Sequence, residues 1–295
     1  MKSKNFFRKI RVLFGNGFDY GMMKLFGRFF ALRRVARALT PKKSISQIED
    51  GGWSVESAEK TVSDLKFHGY SLGVNVETEI LEKLLQYAKT NDVHGYMDPS
   101  LSFKPSDKKR FEKSFGKELL IAHYPNLHKS DLFKTIENNE VLKGIAESYC
   151  GVGAKCIASQ MWWTYPAKVD DTLRSKFAHF YHRDLDGFNF IKFFVYLTDV
   201  ESGDGGHFFV SGSHRPSLQE RISEKFKINR LSDYMVASRY RESDIKEMTG
   251  AAGTVIVEDT FGLHKGQTPS KNPRLLACFV FGMKNYHDVQ RYIVP

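Results

Sequence analysis

The sequence predicts a mainly β domain with α additions, of sandwich or jelly-roll architecture, with helices on its N-terminal side. Three observations carry that prediction. From Lys155 onward, residues alternate in polarity or form short runs rich in Val, Ile, Phe and Tyr, with turn residues between them. Ser54 to Phe67, the stretch from Ile80 to Ala88 and Asn139 to Tyr149 read instead as helices. With 295 residues, 41% of them hydrophobic, the chain is long enough to bury a sizeable core as one large domain with extensions, or at most two domains.

Cys150, Cys156 and Cys278 are too few and too scattered for a disulfide framework, and no C-x-x-C spacing suggests zinc. A reducing, intracellular setting is expected. The formal net charge of +10 is unevenly placed: residues 1–43 hold 12 Lys or Arg and a single acid, Asp19, whereas the rest holds 32 basic and 33 acidic residues. Basicity therefore belongs to an N-terminal arm, residues 1–43, while the body, residues 44–295, is close to neutral. That distribution disfavours nucleic acid as the partner and says where the protein docks more than what it transforms.

The arm mixes its charge with large apolar groups such as Phe6, Phe7, Phe14, Phe18, Met22, Met23, Phe26, Phe29 and Phe30. Met22, Phe26, Phe29 and Ala36 fall roughly on one helical face, which Arg33 interrupts. Such a segment lies on an anionic bilayer surface, packs as a helix on the domain or forms a mobile tail. No apolar run approaches the ~20 residues of a spanning helix, and charges interrupt any signal-peptide core. The expected location is cytoplasmic, peripheral at the inner face of a membrane.

Thr40-Pro41-Lys42-Lys43-Ser44 is a polar break between arm and body. Ser54 to Phe67 reads as a helix with Ser54 as its cap, ended by His68-Gly69. A short strand, Tyr70 to Val74, leads into a second helix marked by Ile80, Leu81, Leu84, Leu85 and Ala88. Residues 91–131 are poorly patterned and read as loops and short helices, with His94, His123 and His128 as surface or packing residues. Asn139 to Tyr149 reads as a helix closed by Gly151. From Lys155 the alternation puts Cys156, Ala158, Gln160, Trp162 and Thr164 on one face of a strand. Gln160, Trp162 and Thr164 suit a ligand-lining face, with a packing role for Trp162 as the competing reading.

His182 and Asp184, two residues apart in an aromatic-rich run, share one face if that run is a strand, so both can reach one ion. His264, after the run Thr254 to Asp259, is placed to be a third ligand. Two His and one carboxylate on one side of an ion form the facial triad that leaves positions open on non-haem Fe(II). His179 and Asp186 are near enough to compete as ligands, but His179 to Asp184 breaks the alternating register. Lys192, inside the apolar run Phe190 to Val200, must reach an anion or snorkel to the rim. Short strands and turns follow at His207 to Val210 and Ser211 to Pro216. Residues 217–250 then form a polar insert of the kind that acts as a lid, before strands resume at Thr254 to Val257 and Leu275 to Phe281.

The succession His182-x-Asp184, then Tyr196-Leu197-Thr198-Asp199-Val200 with Gly212-Ser213-His214-Arg215, then Gly250-Ala251-Ala252-Gly253-Thr254 with His264 and Arg274, resembles the phytanoyl-CoA dioxygenase-like family of Fe(II)/2-oxoglutarate oxygenases. The resemblance covers most of residues 55–285 and none of the arm. It implies a double-stranded β-helix, a cupin-like jelly-roll barrel with iron in its mouth. It also implies that His182, Asp184 and His264 are the catalytic metal ligands and that Arg274 grips the distal carboxylate of 2-oxoglutarate. Gln160, Trp162, Thr164 and Lys192 are further candidates for the cosubstrate pocket. Ser213 and His214 match the family's turn motif and read as turn-making residues. The implied activity is that of a hydroxylase: O2 oxidises 2-oxoglutarate to succinate and CO2 as a C–H bond of a small molecule, lipid or carbohydrate group is hydroxylated. Two other classes compete, a non-catalytic cupin-like binding protein and a nucleic-acid-directed oxygenase.

Overall fold

A computed structural model of the chain describes residues 17–44, 52–217, 220 and 230–286. The strands among them are, in chain order, β1 (Trp53–Val55), β2 (Tyr70–Val76), β3 (Val93–Gly95), β4 (Ser102–Phe103), β5 (Ile121–His123), β6 (Lys155–Thr164), β7 (Phe190–Tyr196), β8 (His207–Val210), β9 (Ile245–Met248), β10 (Thr254–Glu258), β11 (His264–Gly266) and β12 (Arg274–Gly282). One antiparallel sheet has the order β1-β2-β10-β7-β12-β6-β5-β3-β4, and a second has the order β11-β8-β9. An isolated bridge between His182 and His264 sets the segment around 182 beside β11. From β6 onward the chain passes back and forth: β6, β7, β10 and β12 lie in the large sheet, and the 182 segment, β8, β9 and β11 in the small one. This is the cupin-like jelly roll expected from the sequence.

Alternation sorts the side chains of the large sheet. Ile191, Phe193 and Val195 of β7, with Leu275, Ala277, Phe279 and Phe281 of β12, face a layer of helices. Phe190, Phe194 and Tyr196, with Leu276, Cys278 and Val280, face the small sheet and pack with Phe209 and Met248. A strand buried on both faces reads as an unbroken apolar run, which is how β7 reads. Each fully buried Leu, Val or Phe contributes about 1.5–3 kcal/mol, so this wall can hold charges in place. Lys192 is in phase with the inward set of β7 and stands opposite Glu258 of β10; Arg274 is in phase with the inward set of β12. The sheet thus delivers three buried charged or titratable groups to the barrel interior.

The helices are α1 (Phe18–Phe26), α2 (Phe30–Leu39), α3 (Ala58–Phe67), α4 (Thr78–Thr90), α5 (Lys108–Phe115), α6 (Asp131–Glu137), α7 (Glu140–Tyr149), α8 (Asp171–Lys176) and α9 (Asp233–Ala237). Helices α3, α4, α6 and α7 supply the layer against the large sheet, through residues such as Leu65, Leu84, Phe133 and Leu142. Helix α3 starts later than expected. Ser54 is spent in β1, paired with Asn75, and Ser57 caps the helix by accepting from Lys60 N–H. At its other end Gly69 has φ of 88°, and a Cβ there would stand 2.5 Å from His214 Nδ1 and 2.8 Å from Phe209 Cζ.

Two other segments differ from expectation. Residues 91–131 carry β3, β4 and β5 at the edge of the large sheet; strands of two or three residues complete too little of an alternating pattern to be read. Within the insert, Ile245–Met248 is a strand of the small sheet, and Leu231 and Val236 pack on that sheet's outer face with Tyr181, Val210 and Leu263. Residues 218–219 and 221–229 of the insert lie outside the described residues, as do residues 1–16 of the arm.

The arm breaks at Gly27-Arg28 into α1 and α2, and Lys24, Arg33 and Arg37 turn inward. Arg33, only 3% exposed, donates from Nη1 to Gly187 O at 2.6 Å and lies over the Phe261 ring at 4.1 Å. Arg37 Nη2 donates to Asp259 Oδ2 at 2.8 Å, and Lys24 Nζ to Leu185 O at 2.7 Å. Burial, partly offset by Asp259, pulls the Arg33 guanidinium down to about 10. Leu32, Val35 and Leu39 face outward instead and are exposed. Among the described residues no helix is long and apolar enough to cross a membrane.

Candidate metal centre and its cavity

His182 and His264 are locked together before any ligand enters. Each backbone N–H donates to the other's carbonyl, at 2.9 and 3.1 Å, so the imidazoles stand side by side with centroids 4.2 Å apart. His182 Nδ1 contacts Phe180 O at 2.9 Å and His264 Nδ1 contacts Gly262 O at 2.9 Å. Both carbonyls call for an N–H at Nδ1, which leaves both Nε2 lone pairs free to bind a cation. Asp184 is not in a strand. It lies just past the bridge, its N–H donating to Thr260 O at 2.8 Å, and its carboxylate stands 3.5 Å from His182 Nε2 and 3.2 Å from His264 Nε2. The three ligand atoms fall within 4.8 Å of one another. Two nitrogens and a carboxylate that already converge, with the ring tautomers set by backbone, fit a divalent transition metal.

Charge is balanced around this triad. Lys192 Nζ lies 2.7 Å from Asp184 Oδ2 and 2.8 Å from Asp186 Oδ2. Burial alone would raise the Asp184 carboxyl, but Lys192 and His264 hold it well below its ordinary value. Burial disfavours the His264 imidazolium, yet Asp184 more than offsets this and raises it; burial and the neighbouring His264 push His182 down. Next to His264, with its ring nearly parallel at 5.6 Å, lies His207, whose Nε2 contacts Glu258 Oε2 at 3.0 Å. Burial pushes the fully enclosed Glu258 carboxyl up to about 8, and burial with the neighbouring His264 holds the His207 imidazole well below its ordinary value.

A cavity of about 300 Å³ opens onto the triad, and Gln160, Trp162, Lys192 and Arg274 also line it. Six of the seven other inferred site residues and ligands therefore meet at one place with Arg274, although they come from β6, β7, β11, β12 and the 182 segment. Thr164 is the exception. It stands opposite Arg274 on the adjoining strand, fully buried and outside the cavity lining. Arg274 is 2% exposed, donates from Nη1 to Gly205 O, and keeps a buried Nε with no hydrogen-bond partner. A Cβ at Gly266 would stand 3.3 Å from Arg274 Nη2, so glycine there leaves the guanidinium its room. An arginine with an unsatisfied buried N–H in a cavity that holds a metal triad fits a carboxylate-bearing ligand.

The cavity also holds residues that the sequence reading set aside. His123, expected at the surface or in packing, packs in the cavity lining: its ring stacks on Trp162 at 5.8 Å, and burial holds it down to about 3. Pairing of β5 with β6 brings it there, and β5 is too short to be seen as a strand. His179 lines the cavity with Nδ1 2.7 Å from Thr268 Oγ1, and Asp186 serves Lys192. His207 and Arg230 also line it, and no local pattern marked either.

Ser213 and His214 act in the turn. Ser213 Oγ donates to Val210 O at 2.6 Å and accepts from Leu263 N–H at 2.8 Å, fixing the residue before His264. His214 is 2% exposed, and burial pulls it down to about 4. A histidine kept neutral in the fold but free to charge when unfolded costs stability as pH falls below about 6.5, levelling off near its folded value. Urea melts should therefore show wild type losing about 1.4 kcal/mol per pH unit more than His214→Asn across that window. Parallel slopes would refute the assignment.

No family model and no curated protein matches this sequence, so the family resemblance rests on the motifs quoted above. Solved structures do match, and they place the chain in the jelly-roll fold used by metal- and 2-oxoglutarate-binding proteins. One is HygX from Streptomyces hygroscopicus with nickel and 2-oxoglutarate bound, at 16% identity and TM-score 0.51 over 79% of this chain and 88% of that one. Another is the carbocyclase SnoK from nogalamycin biosynthesis, at 16% identity and TM-score 0.52 over 78% and 87%. A third is the epimerase SnoN from the same biosynthesis, at 15% identity and TM-score 0.51 over 76% and 81%.

Proposed function

We propose that the chain is an Fe(II)- and 2-oxoglutarate-dependent oxygenase that hydroxylates a C–H bond of a small molecule, lipid or sugar group. The observation that carries this is the single cavity shared by the His182–Asp184–His264 triad and the unsatisfied Arg274. Iron held there with 2-oxoglutarate and O2 supplies an oxidant strong enough for an unactivated C–H bond, with release of succinate and CO2. The chain's own residues prepare that site. His182 and His264 offer Nε2 because Phe180 O and Gly262 O engage Nδ1, and Asp184 stays ionised because Lys192 neutralises it from behind. Arg274 receives the distal carboxylate through its fork, with Thr164 beside it, while Gln160, Trp162 and His123 shape the remaining wall. Apolar packing of Phe194 and Leu276 closes the barrel wall behind the cavity.

The HygX structure with hygromycin B bound supports a small-molecule substrate, and the epimerase and carbocyclase activities of SnoN and SnoK show how widely outcomes vary on this fold. Hydroxylation is our reading for this chain; a product heavier by one oxygen atom, seen by mass spectrometry after loading with Fe(II) and 2-oxoglutarate, tests it. Stoichiometric binding of both with no succinate from any substrate would instead show a cupin-like binding protein. Arg274→Leu should weaken 2-oxoglutarate binding by about 2–5 kcal/mol, at least about thirtyfold in Kd, with Fe(II) affinity little changed. Equal 2-oxoglutarate affinity in the variant would remove Arg274 from the cosubstrate site. We also propose that residues 1–43 bring the enzyme to an anionic membrane surface; their twelve basic residues against one acid support this.

A further inference from the structure

A second cavity, of about 600 Å³, lies away from the metal centre between α2 and the turn at 212–215. Its lining includes Arg33, Arg34, Arg37, Lys66, His214 and Arg215, and no carboxylate. Asp259, behind the wall, answers Arg33 and Arg37. Five cationic side chains therefore meet one carboxylate. Among the described residues Arg34 and Lys66 enter no ion pair, and Arg215 gives its Nη2 to Phe67 O at 2.7 Å. Like charges gathered around a groove with no carboxylate in its lining favour an anion there.

The helix that forms one wall is amphipathic in the reverse sense of a surface helix. It turns Arg33 and Arg37 to the body and presents Leu32, Val35 and Leu39 outward at i, i+3 and i+7, with Leu39 79% exposed. Phe67, 64% exposed, flanks the groove from the end of α3 with the Arg215 guanidinium over its ring. Apolar side chains held outward beside unpaired cations match the layered chemistry of a bilayer face, in which acyl chains lie under phosphates.

We propose that this face is the docking surface for an anionic lipid bilayer, with a headgroup phosphate seated among Arg34, Lys66 and Arg215 and with Leu32, Val35, Leu39 and Phe67 entering the acyl boundary. The inference rests on the membrane reading of the arm and adds to it the surface, the orientation and the ligand. Truncation is a poor test, since it would strip Arg33 and Arg37 from Asp259. The test uses the full chain in flotation with vesicles of phosphatidylcholine plus phosphatidylglycerol, and with phosphatidylcholine alone.

Wild type should float with the anionic vesicles only. Each basic residue near the headgroups is worth about fivefold, so Arg34→Gln with Lys66→Gln should weaken partitioning by about twentyfold. Leu32→Ser with Leu39→Ser should weaken it by at least about tenfold. Both double variants should keep the wild-type melting temperature and succinate yield in solution, since these side chains are exposed and far from the triad. Flotation unchanged in both variants would overturn this surface while leaving the arm's membrane reading intact; no flotation of wild type would remove both. Two further outcomes overturn it: calorimetric binding of inorganic phosphate without vesicle binding, or a wild-type dimer in sedimentation that Leu32→Ser with Leu39→Ser dissociates.

Discussion

Asp184→Ala is expected to abolish Fe(II) binding and succinate formation while leaving the protein folded. Asp184 is the one carboxylate in the triad, so its loss leaves two imidazoles, too few to hold iron against water and chelating buffers. Removing a buried charge usually strands its partner at a cost of several kcal/mol, but Lys192 keeps Asp186 at 2.8 Å and so remains paired. Calorimetric Fe(II) titration under argon, the absorption change on adding 2-oxoglutarate, and succinate detection read the three parts separately. Iron binding and turnover near wild-type levels in a folded Asp184→Ala protein would dismiss the metal centre assigned here.

Asp259→Ala is expected to cost about 3–5 kcal/mol of stability and to loosen the proposed metal site. The side chain is 1% exposed and accepts from Arg37 and from the Tyr149 hydroxyl at 2.8 Å, with Arg33 at 3.7 Å and the Phe261 N–H at 3.2 Å. Without it two guanidinium groups face a buried void. Its second effect is local: the Asp259 carboxylate accepts from the Phe261 N–H, and the next residue, Gly262, orients His264 through its carbonyl. Outer partners of metal ligands are worth about 10–100-fold in metal affinity, and a loss of that size is expected here. Burial would raise this carboxyl, but Arg37 and Arg33 hold it far below its ordinary value. Its stabilisation is thus complete above the unfolded carboxylate pKa of about 4 and fades as pH falls below that. Thermal melts of wild type and variant between neutral pH and pH 3 should converge toward the acid end; curves that stay apart throughout would contradict this account.

How much of this was legible depends on the distance over which each feature is encoded. Strand β6 is ten residues long with one face toward the barrel, so its alternation was plain. Strand β7 and the strand at 274–282 announced themselves as long apolar runs. The triad was readable because His182 and Asp184 are neighbours in sequence and His264 follows a recognisable strand. Lys192 was marked as needing an anion, though its anions, Asp184 and Asp186, are set by a loop geometry that no period describes. His123 and His207 were invisible for the same reason: only strand pairing brings them to the cavity. Arg33 looked like a flaw in an amphipathic helix because its partners, Gly187 and Asp259, lie on the far side of the sequence.

That remoteness has a kinetic consequence. The contacts that seat the arm join residues separated by 161, 154 and 222 positions: Lys24 to Leu185, Arg33 to Gly187 and Arg37 to Asp259. Non-local contacts of this span form late, because the loop they close must first be ordered. Helices α1 and α2 are therefore expected to find their place late among the described elements, waiting for the strand that ends at Glu258. Their arrival fastens the loop that carries Asp184 and the segment at Asp259 that leads into β11 and His264.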